Sequence, residues 1–439
     1  MTLIADLLLS RLQRSAAHTR RAFIYCINYA PEIAGVGRYT GELGGYLSQH
    51  HVNVEIVTAV PHYPGWAVSS GFRNQFSVES SKGARVTRCP LLLKADTAGI
   101  WRMLAPLTFA ITSAPVAVWR ILVARPDVVL CVEPTLFAAP AALLAAKFVG
   151  ARTVLHAQDL EIDAAFAVGH LAPRRWLIWL AQKFERFCLK RFDRIVTISH
   201  KMAERIRGKG VAQERLFVVR NWVDLDQIKP VGTSLSYRDE LGLPRSAFVV
   251  LYSGNLGPKQ GLMVVIEAAR LLRGIQNLLF VIAGEGPSKS SLMAAAAGLD
   301  NVRFLPFQPH ERLGPFMCLC NLHVLPQLAI AGDLVLPSKL GSMLASGRPI
   351  IVTAGPNTEL TEFLGRTATI VPPENPVALA DAIRAHVMGD NHSSVEERLS
   401  LAAELSRHNA MDQLSSILFV PQRNGVTARN NPADAGQRS

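Results

Sequence analysis

The sequence predicts an α/β fold made of two doubly wound parallel-sheet halves that face a central cleft, and three observations predict it. Short apolar runs alternate with longer segments of helical period along most of the chain, the pattern of strands covered on both faces by crossover helices. The alternation pauses over residues 229–245, a polar stretch holding Pro230, Gly232 and Pro244 that reads as a linker, and then resumes. Finally, 439 residues exceed one ordinary core and suit two domains.

The first strand is residues 23–28 (FIYCIN), followed by a turn carrying Gly35 and Gly37 and a helix to residue 49. Residues 52–59 form the next strand, and 128–132 and 153–156 form two more around an Ala-rich helix at 137–148. Residues 174–192 predict a strong helix with Trp176, Leu180, Phe184 and Phe187 on one face, and 194–199 (RIVTIS) closes this half. The second half opens with the strand 248–253 (FVVLYS), continues through a helix holding Ile266 and Ala269, and reaches the strand 278–283 (LLFVIA). Residues 322–325, 349–352 and 367–371 are its later strands. The divisions so read are an extension at 1–21, a first domain at 22–218, a second at 219–407, a C-terminal helix at 408–421 and a disordered tail at 422–439.

Composition removes several function classes. Hydrophobic residues at 49% against 18% charged require that most of the chain folds. The six cysteines are scattered without metal-ligand spacing (Cys318 and Cys320 are one residue apart), which reads as buried reduced thiols in a cytoplasmic protein. A net charge of +12 suits anionic partners, nucleotides or a phospholipid surface. The arginines are dispersed, without the aromatic-interleaved basic stripe of a nucleic-acid binder. Residues 1–21 place an apolar run ahead of their basic residues, the reverse of a secretory signal; a frayed extension and an amphipathic interfacial helix both fit. The longest uncharged stretch, 103–118, contains Pro106 and Pro115 and falls short of the roughly 20 residues that span a bilayer, so no transmembrane helix is expected. Arg102, Trp119 and Arg120 bracket this apolar helix, which is expected to bury against the first sheet, with membrane contact as the alternative.

Three turns carry the chemistry. In the first, Gly35 and Gly37 lie between a strand end and a helix start, where a backbone can approach a ligand and free N–H groups point at it; a simple tight turn is the alternative. It lacks the third glycine of the dinucleotide fingerprint, which disfavours a nicotinamide enzyme. The second runs from Gly254 and Asn255 to Lys259, Gln260 and Gly261, a diphosphate cradle in which amides and one lysine supply positive charge; a solvated loop lysine is the alternative. The third holds Asp333, Pro337, Ser338, Lys339, Ser342 and Gly347. There Ser338 suits a helix cap and Lys339 can join the outward amides on an anion.

Taken together, INYAPEIAGVGRYTGEL, TAVPHYPGW, VEPTLF, ARTVLHAQDLEIDA, YSGNLGPKQGL and VLPSKLGSMLASG resemble the retaining GT-B glycosyltransferases of family 4, whose fold is two Rossmann-like domains about a cleft. Within that family the chain is most similar to the colanic-acid biosynthesis branch, over about residues 23–371. The resemblance implies transfer of a sugar from a GDP- or UDP-linked donor with retained configuration and no metal or other cofactor. The branch implies fucose from GDP-fucose, a lipid-linked oligosaccharide acceptor, and a cytoplasmic enzyme in peripheral contact with the inner membrane. Where the broad family has an Arg and a Lys in the second turn, this chain has Asn255 and Gln260, with Lys259 one step earlier. Of the family's two glutamates spaced by seven residues, the second corresponds to Ser342 and the first falls on Leu334, beside Asp333. The branch shares Asn255, Lys259, Gln260, Asp333 and Lys339.

On this reading Lys259 and Lys339 flank the diphosphate and Asp333 accepts hydrogen bonds from donor-sugar hydroxyls. Glu359, in a turn after a late strand, either binds ribose or caps a helix. The family's acceptor-side His aligns with Gln158, leaving His156 and Asp159 nearby. Glu133, His156, Asp159, Glu161 and Asp163 follow predicted strands, and a carboxylate among them can orient the acceptor hydroxyl or take its proton, unless the leaving phosphate is the base. His62, Tyr63 and Trp66 offer aromatic faces to a sugar, or form a packed loop. A nucleotide-sugar epimerase of the same fold and a non-catalytic sugar- or nucleotide-binding partner in a polysaccharide assembly complex are the competing functions.

Overall fold

A computed structural model describes residues 19–32, 35–63, 65–93, 100–160, 175–226, 228, 234–329, 336–390 and 393–420. Residues 1–18 of the expected extension, the tail and the acidic residues Glu161, Asp163 and Asp333 lie outside the described residues, as do the side chains of Lys259 and Arg102.

Strands buried along their whole length must be interior to a sheet covered on both faces. β5 (Val128–Glu133) is one. The first sheet has the order β3 (Ser77–Ser81), β4 (Ala84–Cys89), β2 (Asn53–Ala59), β1 (Arg21–Tyr25), β5, β6 (Arg152–Ala157), β7 (Arg194–Thr197) and β8 (Leu216–Val218). All pairings are parallel except β3 with β4, a polar edge hairpin that apolar periodicity does not reveal. α1 (Gly35–Gln49) covers one face. The other is covered by α2 (Ile100–Ala124), α3 (Ala139–Val149), α4 (Arg175–Leu189) and α5 (His200–Gly208), whose inner residues share one core with Phe23, Val129 and Ile195.

α2 departs from expectation. It runs unbroken through Pro106 and Pro115, and Leu104–Ala124 is long and apolar enough to cross a membrane by composition alone. Its inner side packs on the sheet through Phe109, Ala117 and Ile121, and the Ser113 hydroxyl pairs with that of Tyr25 at 2.6 Å. That packing offsets the roughly 3 kcal/mol of an interior proline. The expected burial against the first sheet holds for that inner side, while on the outer side Ile111, Trp119 and Val123 are exposed. On α4 the predicted stripe also lies outward: Trp176, Leu180 and Phe187 are exposed, and Phe184 alone of it is half-buried.

The second half begins with α6 (Leu235–Glu240), in the stretch expected to be a linker. Arg238 explains the difference: buried, it donates to the carbonyls of Leu319, Arg245 and Ala247 and to Asn321. The second sheet has the order β11 (Val302–Leu305), β10 (Leu278–Ala283), β9 (Phe248–Ser253), β12 (Leu322–Leu325), β13 (Ile350–Thr353) and β14 (Thr369–Val371), all parallel. The helices α7 (Met263–Leu271), α8 (Lys289–Ala295), α9 (Leu313–Cys318), α10 (Leu340–Ala345), α11 (Glu359–Leu364), α12 (Pro376–Val387) and α13 (Val395–Glu404) complete it. The order in which strands are added reverses between β1 and β5 in one sheet and between β9 and β12 in the other, and ligands settle beyond the carboxyl ends of strands at such points.

The chain crosses between the halves twice, and the crossings hydrogen-bond to each other: Val223 N–H donates to Leu405 at 2.8 Å and Arg407 N–H to Val223 at 2.9 Å. α14 (Arg407–Phe419) then returns to the first half, burying Met411, Leu414 and Leu418 beside α1 and β5. Arg152 donates to Leu418 O at 2.8 Å and Arg194 to Ile417 O and Val420 O, placing cations on the negative end of that helix. The six cysteines are free and buried.

The glycine loops after β9 and β10 lie backbone against backbone. Gly284 holds φ +147°, and a Cβ there would overlap the carbonyl of Gly254. Gly284→Ala is therefore expected to destabilise the second half by at least about 2 kcal/mol, read as a lowered thermal unfolding midpoint. Gly298→Ala, with φ +79° but open space around it, is the control and costs about 1 kcal/mol.

Candidate functional site

The loops at the two switch points enclose a cleft of about 350 Å³ between the halves. Gly35, Val36 and Tyr39 line it from the β1 loop and α1, Gln158 from the end of β6, and Asn221 from the first crossing. The second half contributes Gln260, Gln327, Ser338 and Lys339. Gly35, Gln260, Ser338 and Lys339, singled out from the sequence, meet here, whereas Asn221 and Gln327 carried no motif. Gln327 had one weak signal, a polar residue two positions after the end of an apolar strand.

Lys339 is the one charged side chain among the described lining residues. Its Nζ stands 3.9 Å over the ring of Tyr252, and a Cβ on Gly254 would come within 3.1 Å of it, so the glycine opens the place the ammonium occupies. Burial pushes its pKa down to about 7, because the charged form has lost water without gaining an anion. Ser338 does not cap the helix as expected: α10 starts at Leu340 with Lys339 at the cap position and no side-chain bond, which leaves Ser338 exposed on the cleft.

Against this single cation stand neutral amides. Asn221 Oδ1, Gln260 Oε1 and Gln327 Oε1 are buried and have no hydrogen-bond partner among the described residues. Asn221 has its orientation set from below. Burial holds His156 neutral, with a pKa pushed down to about 4, so its Nε2 accepts from the Gln158 amide at 3.0 Å. Gln158 Oε1 then accepts from Asn221 Nδ2 at 2.9 Å, and Asn221 is left with an open acceptor oxygen. Each orphaned buried acceptor costs about 1–3 kcal/mol, which a ligand rich in hydroxyl donors recovers. His156 therefore lies beneath the cleft and acts through Gln158.

Glu32, which the sequence reading passed over, organises the first glycine turn. Its Oε1 accepts the backbone N–H groups of His62 and Tyr63, each at 3.0 Å, its Oε2 accepts from Asn28 at 3.0 Å, and its carboxylate lies against the Cα of Gly37. Gly35, at φ +63°, sits under the Tyr63 ring. Of the expected aromatic acceptor face, Tyr63 is exposed and Trp66 half-buried, but His62 is turned inward, its Nδ1 on the carbonyl of Val60 at 2.8 Å. This is the packed-loop alternative for His62.

The remaining expected residues are placed elsewhere. Glu133 is buried at the end of β5, beneath the loops rather than on the cleft. Asp159 is exposed and accepts the N–H of Leu160 at 2.8 Å. Asn255 is exposed, and Ser342 lies half-buried on α10; neither lines the cleft. Glu359 does not cap the helix, the second of its two expected roles. Thr358 caps α11, while the buried Glu359 carboxylate takes Arg220 at 2.8 Å and the N–H of Lys201 at 3.1 Å, a tie from the second half to the first.

Comparison with known proteins agrees with this geometry. Residues 34–222 match the family described as a glycosyl transferase 4-like domain, and residues 247–388 match glycosyl transferases group 1. The chain is 36% identical over 403 residues to WcaI of Escherichia coli, described as a colanic acid biosynthesis glycosyl transferase, covering 90% of this chain and 98% of that one. In fold it is similar to sucrose-phosphate synthase from Thermosynechococcus elongatus, with a TM-score of 0.67, 16% identity, and 91% and 98% of the two chains covered. It is also similar to Anabaena HepE in complex with UDP and glucose, with a TM-score of 0.64, 15% identity, and 91% and 99% covered.

The placement of Glu359 makes a prediction that separates a tie from a ribose contact. Glu359→Gln should leave nucleotide affinity within about twofold by calorimetry. Arg220→Met, which strands a buried carboxylate, should lower stability by about 3 kcal/mol in thermal unfolding.

Proposed function

The chain belongs to the glycosyltransferases of the GT-B fold, with a 4-like first half and a group 1 second half, and from that premise we propose how its cleft works. It is a transferase of colanic-acid-type polysaccharide biosynthesis. The finer reading is transfer of fucose from GDP-fucose to a lipid-linked oligosaccharide, with retained configuration, no metal, and the enzyme held at the cytoplasmic face of the inner membrane.

One observation carries this reading: a desolvated lysine and three orphaned amide oxygens meet in a cleft between two switch points. A nucleoside diphosphate supplies the anion that Lys339 lacks, and the donor sugar supplies the hydroxyls that Asn221, Gln260 and Gln327 lack. Anabaena HepE, of the same fold, holds that class of ligand, UDP with glucose.

As the bond between sugar and diphosphate breaks, charge grows on the leaving oxygen, and a preorganised ammonium in a dry site stabilises it more than water does. Lys259, in the turn after β9, is the second cation of this reading, and Asp333 its partner for the donor sugar. The amide oxygens hold the sugar without adding negative charge beside the leaving group, which two carboxylates there would do. His156, buried and neutral, keeps the amide chain oriented. The departing phosphate oxygen, at the face the acceptor approaches, takes the acceptor's proton, or Asp159 does from the rim. Movement of the halves about the double crossing closes the cleft and favours transfer over hydrolysis.

Calorimetry with GDP, UDP, ADP and NAD tests the donor. Tight binding of GDP alone is expected; preference for UDP would discard fucosyl transfer from GDP, and binding of none would remove the transferase reading of this cleft. Lys339→Met is expected to lower turnover at least tenfold, about 1.4 kcal/mol or more in barrier, with an unchanged unfolding midpoint.

The pH dependence follows from the lysine. In the free enzyme Lys339 loses its proton through about pH 7, and a bound diphosphate favours the protonated form, so binding takes up a proton above that pH. GDP affinity should therefore fall as pH rises past about 7, by up to about tenfold per pH unit, and Lys339→Met should abolish the slope. A flat profile in the wild type would remove Lys339 from the diphosphate.

A further inference from the structure

We infer that the outer face of the first half, formed by α2, α3 and α4, is a docking surface for an anionic lipid bilayer. The inference rests on the preceding reading for the placement at a membrane and for the direction from which the acceptor arrives; the surface itself stands on its own residues.

α4 carries its apolar stripe outward. Trp176, Trp179, Leu180 and Phe187 recur at helical spacing and are each about half exposed, at 58%, 55%, 52% and 47%. On the neighbouring helices Trp119 of α2 is 65% exposed and Phe148 of α3 is 76% exposed. The three helices are contiguous: α2 packs along α3, and the rings of Phe137, leading into α3, and Phe184 of α4 stack at 5.6 Å. A groove of about 980 Å³ runs between α3 and α4, lined by Leu143, Leu144, Lys147, Phe187 and Arg191. It lies away from both switch points and shares no residue with the cleft.

The charge on this face selects the occupant. The sequences of the three helices hold one acidic residue, Glu185. It is turned inward, 1% exposed, and pairs with Lys209. Lys147, Lys183, Arg186, Lys190 and Arg191 are exposed on or beside the apolar stripe. Lys183 Nζ lies 3.9 Å over the ring of Trp179, and the Arg191 guanidinium 3.4 Å over that of Phe187. Asp193 is the one exposed carboxylate among the described residues lining the groove, so the face stays predominantly basic and disfavours a second copy of itself. Indoles beside lysines and arginines match an interface whose acyl region takes the rings and whose headgroups take the cations.

Chain direction adds the geometry. α4 joins the parallel strands β6 and β7, so it starts at the end of the sheet where Gln158 lines the cleft and returns to the opposite end. Trp176 and Trp179 therefore sit on the cleft side, and docking through them brings the cleft mouth to the bilayer surface, where a lipid-linked acceptor presents its sugar.

Vesicle flotation of the full chain tests this. Vesicles of phosphatidylethanolamine with phosphatidylglycerol should bind it, pure phosphatidylcholine much less, and added salt should weaken the first. Trp119→Ser with Trp179→Ser should lower partitioning by at least about tenfold, with GDP binding and unfolding midpoint unchanged. Lys183→Glu with Arg191→Glu should erase the preference for anionic vesicles. Failure of the wild type to bind anionic vesicles, or undiminished binding by the tryptophan variant, would overturn the inference. So would a dimer in sedimentation that the tryptophan variant dissociates, because the face would then belong to a second copy. Loss of the GDP result with retained vesicle binding would sink the proposed function and leave this surface standing.

Discussion

The structure depends on a double crossing of the chain. Val223 on the way out and Leu405–Arg407 on the way back are hydrogen-bonded to each other, so the two halves pivot about a pair of backbones instead of a single linker. Beside the pivot, Trp222 is buried against Tyr39, with its indole N–H on Glu42 at 2.6 Å. Arg220 meets Glu359 across the gap. Asn221 sits between these anchors, which is why a residue in a connecting segment can line the cleft with a fixed orientation. An otherwise mobile junction is made into part of the site.

The cleft's chemistry follows from what that frame places in it. Around one lysine the structure sets the neutral amides of Asn221, Gln260 and Gln327. A desolvated cation without an anion and buried acceptors without donors are both unfavourable in the empty protein. They become favourable together when one molecule carries an anion at one end and hydroxyls at the other. The strain is small and local, and it is supported by the closely packed glycine loops of Gly254 and Gly284, which hold the backbone rigid beneath Lys339.

The two faces of the first sheet divide the remaining work. On one, α1 and α14 bind the second crossing back to the first half through Arg152 and Arg194. On the other, α2, α3 and α4 bury only their inner sides and leave tryptophans outward. This division accounts for the outward stripes on α2 and α4. A helical apolar stripe in a sequence reports which residues share a face, and the packing partner of that face is a separate question. When the helix already has a second apolar side against the sheet, the stronger stripe is free for another surface.

The sequence by itself determined the two α/β halves, most of their strands, the glycine turns and the family. Strands such as FVVLYS and LLFVIA are apolar over their whole length, and burial on both faces is the only arrangement that suits them. It also named Gly35, Gln260, Ser338 and Lys339, because short motifs after strand ends report local backbone requirements. Only the tertiary structure decided that Glu359 ties the halves, that His62 points inward, that Glu32 holds the first turn, and that Asn221 and Gln327 complete the cleft. Each of these depends on which residues from distant segments meet: Arg220 with Glu359, Asn221 with Gln158, Trp222 with Glu42. Spacing along the chain encodes periodicity and turns, whereas the partner of a buried polar group is set by the fold that brings it within hydrogen-bonding reach.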